Sequence, residues 1–120
     1  MLRELKKYDV VLVDFGKNID SEQSGIRPAV IIQNDTGNYF SGTTLVMPFT
    51  SSLKSISQPT HALFTKGRDK GLTNDSILLG ECMRQVSKRR IIKPLGAITN
   101  QMEKKEIKRV YEANFGDEGE

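Results

Sequence analysis

The fold is decided by the stretch Pro28-Ala29-Val30-Ile31-Ile32-Gln33 and by its neighbour along the chain, Thr43-Thr44-Leu45-Val46-Met47-Pro48-Phe49. Both runs are apolar at nearly every position, so neither of their two faces can be fully exposed to water. One face can enter the core of the domain, and the other needs a cover. A helix or a second subunit could supply it, and because one short helix cannot cover a whole barrel, the pattern favours a homodimer.

The same two runs set a pairing register. If they form one hairpin around residues 35–42, opposed residues of the antiparallel ladder share a constant sum of residue numbers. Pairing Asn34 with Thr43 then also pairs Arg27 with Thr50. Opposed positions lie roughly 5 Å apart, so the arginine at the start of one strand is expected to meet the threonine at the end of the other.

Short apolar, β-branched runs separated by Gly, Asn, Ser and Asp occur along most of the chain. They cover residues 8–15, 28–33, 43–49, 60–65, 76–86 and 91–98. Six such runs predict an antiparallel β-barrel or sandwich. Asn100 and Glu103 fit a capping box, and apolar residues then recur at helical spacing, which predicts a helix over about residues 101–114. We therefore predict a single, mainly β domain over residues 1–116 with a C-terminal helix, followed by a frayed acidic tail at 117–120.

The composition excludes several classes of protein. The chain has 120 residues, with one Cys and one His. It is most economically one domain. A single Cys82 excludes an intramolecular disulfide framework and every multi-cysteine metal site, so we expect no metal and no other cofactor. No apolar run resembles a signal peptide or reaches the roughly 20 residues that span a bilayer. We expect a cytoplasmic protein without a membrane partner.

Positive charge is concentrated in one part of the chain. The formal net charge is +3, whereas residues 80–109 hold nine basic and three acidic residues. A basic region beside an acidic remainder indicates a polyanionic partner, although such a run is also typical of a solvated face.

Arg27 and Thr50 are the candidate functional residues. Small residues at Ser24 and Gly25 allow the preceding loop to turn, and Pro28 fixes the chain where the strand begins. The guanidinium at that junction suits phosphate oxygens. Alternatively, Arg27 forms a surface ion pair with Glu22 or Asp35, and Thr50 satisfies local backbone groups.

Two further side chains have ordinary structural explanations. His61 is the only conventional base near neutral pH, but a lone histidine inside a strand is more often structural than catalytic. Cys82 is more typical of a packed small hydrophobe than of a nucleophile.

A longer motif connects these residues to a known family. The stretch Ser21-Glu22-Gln23-Ser24-Gly25-Ile26-Arg27-Pro28-Ala29-Val30-Ile31-Ile32-Gln33-Asn34-Asp35 closely resembles the signature of the MazF/PemK toxin endoribonucleases, most of all the Gram-positive branch. Further matches are Asn38-Tyr39-Phe40-Ser41, the region of Thr50, Pro59-Thr60-His61, Asp75-Ser76-Ile77-Leu78-Leu79 with Glu81 and Arg84, and the terminal helix. The resemblance covers about residues 6–115.

The resemblance implies a homodimer of SH3-like antiparallel β-barrels. It further implies the toxin of a type II toxin–antitoxin system, a sequence-specific endoribonuclease that cleaves single-stranded mRNA without metal and is held inactive by the C-terminal segment of a MazE-like antitoxin. The catalytic roles carry over to Arg27 and Thr50. RNA-contacting roles are expected at Ser21, Glu22, Gln23, Ser51, Glu81, Cys82 and Arg84. The family branch has Gln where this chain has Cys82, and a thiol lacks the paired donor and acceptor of an amide.

The chemistry of RNA fits this interpretation. RNA supplies its own nucleophile, the 2′-OH beside each phosphate, so cleavage needs positioning and charge stabilisation. We expect a 2′,3′-cyclic phosphate and a 5′-OH as products. Two other hypotheses are a CcdB-type gyrase poison, which acts by docking to protein, and an inactive homologue that only buffers an antitoxin. The pairing of Arg27 with Thr50 favours the nuclease.

Overall fold

The computed structural model describes residues 4–17, 24–52 and 57–116. Its strands are β1 (Asp9–Asp14), β2 (Ile26–Ile31), β3 (Thr43–Thr50), β4 (His61–Phe64), β5 (Ser76–Leu79), β6 (Arg84–Ser87) and β7 (Ile91–Ala97). Its helices are α1 (Asp35–Phe40) and α2 (Gln101–Ala113), and two 3₁₀ turns cover Gly80–Cys82 and Lys88–Arg90. The prediction of a mainly antiparallel β domain with a C-terminal helix is confirmed. Within the described residues no helix is long and apolar enough to cross a membrane.

The predicted register of the central hairpin is confirmed. β2 and β3 pair antiparallel, with Ala29 opposite Pro48, Val30 opposite Met47 and Ile31 opposite Val46. Each pair has the residue-number sum expected from pairing Asn34 with Thr43. The residues of β2 and β3 alternate between two apolar clusters, and a slip by one position would exchange them, which fixes the register.

β3 is the centre of the sheet. The strand order is β4-β5-β3-β2-β1-β7, and β6 also pairs with β3. Thr43–Val46 pair with β6, whereas Phe49 and Thr50 pair with β5 on the same edge. The prediction of a single strand over residues 76–86 is therefore wrong. The 3₁₀ turn Gly80–Cys82 divides this segment into β5 and β6, and the registers in which these two strands pair with β3 differ by three residues.

The connection between β2 and β3, predicted only as a hairpin around residues 35–42, also holds a short helix. It contains α1, whose N-cap residue Asn34 accepts a hydrogen bond from the Gly37 backbone N–H. The fully buried Asn38 holds this short helix in place, because its amide donates to Gln33 O and accepts from Thr44 Oγ1. Local polar contacts, rather than apolar periodicity, stabilise α1.

Both faces of β2 and β3 are covered within one chain. Val30, Met47 and Phe49 pack in a cluster with Ile107 and Val110 of α2. Ala29, Ile31 and Val46 pack in a second cluster, which also includes Val11 and Val86. Uncovered strand faces therefore do not favour a homodimer, as the apolar pattern had suggested, because the two clusters bury both faces within one chain.

The turn between β4 and β5 closes the sheet against β7. The Ala97 backbone N–H donates to Asp69 O at 3.0 Å, and Gly67 and Leu72 form an antiparallel bridge. A Cβ at Gly96 would lie 2.4 Å from Asp69 O and 2.6 Å from Lys70 C, both main-chain atoms. Glycine at position 96 therefore permits this close approach.

We predict that Gly96→Ala lowers the free energy of unfolding by about 2 to 3 kcal/mol, because main-chain atoms must move to admit the methyl group. Gly42→Ala is the matched control, since a Cβ there has no neighbour within 4 Å. It should change stability by less than about 0.5 kcal/mol. Urea denaturation of both variants measures the difference, and equal stability of the two would contradict the close approach.

Candidate functional site

A cavity of about 410 Å³ opens where β2 begins and β3 ends. Three segments build it: the start of β2, the end of β3 with the residues after it, and the residues leading into β5. Its lining residues are Ile26, Arg27, Pro28, Phe49, Thr50, Ser51, Ser52, Leu72, Thr73, Asn74 and Ser76. The lining is rich in hydroxyl groups, and among the described residues it includes one guanidinium and no carboxylate.

Main-chain carbonyl oxygens orient the guanidinium of Arg27. Its Nε donates to Ser24 O at 3.1 Å, and its Nη1 makes a longer contact of 3.5 Å with Phe49 O. Gly25 has a φ of 78°, a conformation that glycine adopts without strain, and its N–H donates to Gly16 O. This turn brings Ser24 back towards the arginine, whose charge no described carboxylate neutralises.

The ion pair considered for Arg27 with Asp35 is not formed. Asp35 lies at the opposite end of β2, where its Oδ1 accepts the Lys7 backbone N–H at 2.8 Å. The other candidate partner, Glu22, lies outside the described residues.

Thr50 is buried and its side chain takes part in a local turn. Its Oγ1 accepts the backbone N–H of Ser52 at 3.2 Å. The expected local hydrogen bond is thus present, and it uses a lone pair of the hydroxyl oxygen. The hydroxyl proton can still be donated to a ligand. Thr50 also continues the β2–β3 register at the position opposite Arg27, and both residues line the cavity.

The other predicted site residues fall into three groups. Ser51 is exposed and lines the same cavity. Ser21, Glu22 and Gln23 lie outside the described residues. Glu81, Cys82 and Arg84 lie in and after the turn Gly80–Cys82 and are not among the lining residues of this cavity. The guanidinium carbon of Arg84 lies 5.6 Å from the centre of the Phe15 ring.

His61 is buried on β4, where it contacts Glu81 and does not line the cavity. Its side chain is 3% exposed, and Nε2 lies 2.8 Å from Glu81 Oε2. Thr60 Oγ1 donates to the other carboxylate oxygen of Glu81 at 3.2 Å. Partial burial raises the pKa of Glu81, but the contacts with His61, with its own backbone and with Thr60 outweigh burial and hold that pKa below its ordinary value.

α2 holds this edge of the sheet in place. The Arg109 guanidinium donates to Pro59 O and His61 O while it also contacts both carboxylate oxygens of Glu106. The hydrogen bond from Arg109 holds the pKa of Glu106 below its ordinary value and raises that of Arg109. Farther along, Asn114 Nδ2 donates to Gly80 O at 3.0 Å.

Sequence reasoning did not identify Thr73 and Asn74 as lining residues. They reach the cavity only because the turn between β4 and β5 folds against β7, a contact between distant parts of the chain. The polar run Thr73-Asn74-Asp75-Ser76 directly before a buried strand is the one local signal. Across the described ranges, no group of three or more His, Cys, Asp and Glu side chains could hold a metal ion.

Comparison with solved structures defines the class of fold. MazF of Deinococcus radiodurans superposes with a TM-score of 0.79 at 20% identity, covering 96% of this chain and 99% of that one. A mycobacterial endoribonuclease, solved in complex with its cognate antitoxin, gives a TM-score of 0.74 at 19% identity, with 93% and 95% covered. The fold is that of the MazF toxins.

Sequence comparison defines the family. The model of the PemK-like, MazF-like toxins of type II toxin–antitoxin systems matches residues 6–113, so the chain belongs to this family. Endoribonuclease MazF of Staphylococcus saprophyticus is 37% identical over 112 residues, which are 93% of this chain and 92% of that protein. The protein of the same name from Staphylococcus epidermidis is 41% identical over 87 residues, 72% of each chain.

The predicted family and its Gram-positive branch are confirmed, and the chain is a toxin endoribonuclease. The gyrase-poison alternative is not favoured.

We predict that the contact between Glu81 and His61 stabilises the fold in a pH-dependent way. Because the pKa of Glu81 is lowered on folding, its contribution is present above pH 4.5 and is lost as the pH falls through the folded-state pKa. Glu81→Gln should therefore be less stable than the parent at pH 6 to 7, by less than about 1 kcal/mol for a side chain that is 41% exposed. Urea denaturation at several pH values measures this difference, and a difference that stays constant down to pH 3.5 would contradict it.

Proposed function

We propose that this toxin cleaves single-stranded mRNA at specific sequences, without a metal ion, through attack of the ribose 2′-OH on the adjacent phosphorus. The single observation that carries the proposal is that Arg27 and Thr50 line one cavity. There a guanidinium contacts two main-chain carbonyls beside a buried hydroxyl, and no described lining residue is a carboxylate. Such a site favours a phosphate over a cation.

Arg27 and Thr50 act on the phosphate. The 2′-oxygen forms a bond to phosphorus as its proton leaves, and the bond from phosphorus to the 5′-oxygen of the next nucleotide breaks as that oxygen gains a proton. The products are a 2′,3′-cyclic phosphate and a 5′-OH. Charge on the non-bridging oxygens increases in the transition state, where a guanidinium fixed in advance stabilises it most. The Thr50 hydroxyl donates to one of those oxygens and orients the group.

The remaining predicted residues are proposed to bind RNA around that phosphate. Ser51 continues the cavity beyond Thr50, and Ser21, Glu22 and Gln23 precede Arg27 along the chain. Glu81 is positioned by His61 and Thr60. Cys82 and Arg84 follow on the same segment. Because a thiol replaces an amide at Cys82, we expect base preference at that contact to differ from that of the family branch.

A cognate MazE-like antitoxin is the proposed protein partner, bound through its C-terminal segment. Structures of the mycobacterial endoribonuclease and of MazF from Deinococcus radiodurans hold their antitoxins. The basic segment 80–109 would attract RNA or an acidic antitoxin towards the site. We place the toxin in the cytoplasm, where mRNA is present.

The homodimer is a separate proposal. The resemblance to the family supports it, and exposed Tyr111 on α2 and Phe115 just after α2 offer apolar surface to a second copy. A light-scattering mass near twice the 13.5 kDa of one chain is expected. A stable monomer at assay concentration would contradict it.

A single substitution in the RNA tests the chemistry. An RNA with one mapped cleavage site should be cut in excess EDTA and leave a 2′,3′-cyclic phosphate, identified by mass spectrometry. The same RNA with a 2′-deoxyribose on the 5′ side of that phosphate should resist cleavage, because the nucleophile is gone. A 2′-deoxyribose three nucleotides away is the control and should leave cleavage intact. Cutting of the deoxy-substituted site, or dependence on added metal, would contradict the proposed reaction.

A further inference from the structure

A second cavity adjoins the first and has a different chemistry. It measures about 420 Å³ and is lined by Ser51, Lys66, Asn74 and Asp75. Ser51 and Asn74 line both cavities, so they form the boundary between them. Unlike the first cavity, the second is lined by an aspartate and a lysine. A site with both charges and an amide is poorly suited to a bare phosphate and well suited to the polar edge of a nucleobase.

The turn that carries Asn74 and Asp75 is held rigidly. Lys70 Nζ donates to Glu103 Oε2 at 2.6 Å and to Thr65 O at 2.8 Å, so the turn is fastened to the first turn of α2. Its main chain also packs against β7 at Gly96. A rigid support of this kind is what a binding contact needs in order to discriminate between similar ligands.

The local hydrogen bonds leave polar atoms of the Asn74 and Asp75 side chains available to bind a ligand. Ser76 Oγ donates to the main-chain oxygen of Asn74 at 2.9 Å, which fixes the backbone without using the amide side chain. That amide makes a weak contact of 3.3 Å with Thr73 Oγ1. Asp75 Oδ1 accepts the Lys66 backbone N–H at 2.8 Å, and its second carboxylate oxygen can accept from a ligand.

We propose that this second cavity binds the nucleobase next to the scissile phosphate, and that Asn74 and Asp75 determine which base is accepted. The inference rests on the proposed function, since it needs the phosphate to lie at Arg27 and Thr50. An amide offers a paired donor and acceptor to a base edge, and a carboxylate accepts from an exocyclic amino group, as aspartate does from cytosine N4. The preferred bases at this position are therefore those with an amino group, rather than uracil.

Cleavage of an RNA library with randomised sequence tests the proposal. The parent should show a preference for amino-bearing bases at one position flanking the cut. Asp75→Asn keeps an oxygen that accepts the Lys66 N–H but removes the charge, and it should weaken that preference about tenfold. Asn74→Asp should change the base preference at the same position. Gln101→Ala, an exposed residue in the first turn of α2, is the control and should leave the profile unchanged.

The outcomes separate this inference from the proposed function. If Arg27→Ala still cuts, or the parent does not cut, the assignment of the phosphate site fails. If Arg27→Ala is inactive while both variants of the second cavity keep the parent profile, the nucleobase subsite is wrong. A uniform loss of rate at all sequences, with the profile unchanged and the fold intact by circular dichroism, would also overturn it.

Discussion

The antiparallel pairing of β2 with β3 is the constraint on which the rest of the structure depends. It places the start of β2 beside the end of β3, where Arg27 and Thr50 line one cavity. Since alternate residues of these strands enter two different clusters, a shift by one position would exchange the side chains of the two clusters and separate the two functional groups. The stability of the core and the geometry of the site therefore follow from the same register.

Much of this arrangement could be predicted from sequence. The apolar runs of β2 and β3, with a constant residue-number sum, were enough to bring Arg27 near Thr50. The capping pattern at Asn100 and Glu103 predicted α2. In the structure the Glu103 backbone N–H donates to Asn100 Oδ1 at 3.0 Å. These features depend on local periodicity and on the geometry of a single hairpin. The family motif around Arg27 then indicated the class of enzyme.

Other features gave no signal in the apolar pattern, because they depend either on the polar contacts of one buried side chain or on contacts between distant parts of the chain. α1 is stabilised by the buried amide of Asn38, and the division between β5 and β6 follows from their sharing one edge of β3. Thr73 and Asn74 join the cavity only through the turn that packs on Gly96. The apolar pattern also could not show that residues far along the chain, such as Val11, Val86 and Val110, cover both faces of β2 and β3 without a second subunit.

A double-mutant cycle most directly tests the claim that Arg27 and Thr50 act together on one phosphate. Single-turnover cleavage of a one-site RNA would be measured for the parent, Arg27→Ala, Thr50→Val and the double variant, with Lys6→Ala as a control that removes a remote exposed charge. Each single variant should be slower by roughly 10² to 10³. Groups that act as a unit give non-additive losses, so the double variant should be about as slow as the slower single variant. Losses that multiply would show that the two residues act independently and would contradict the account.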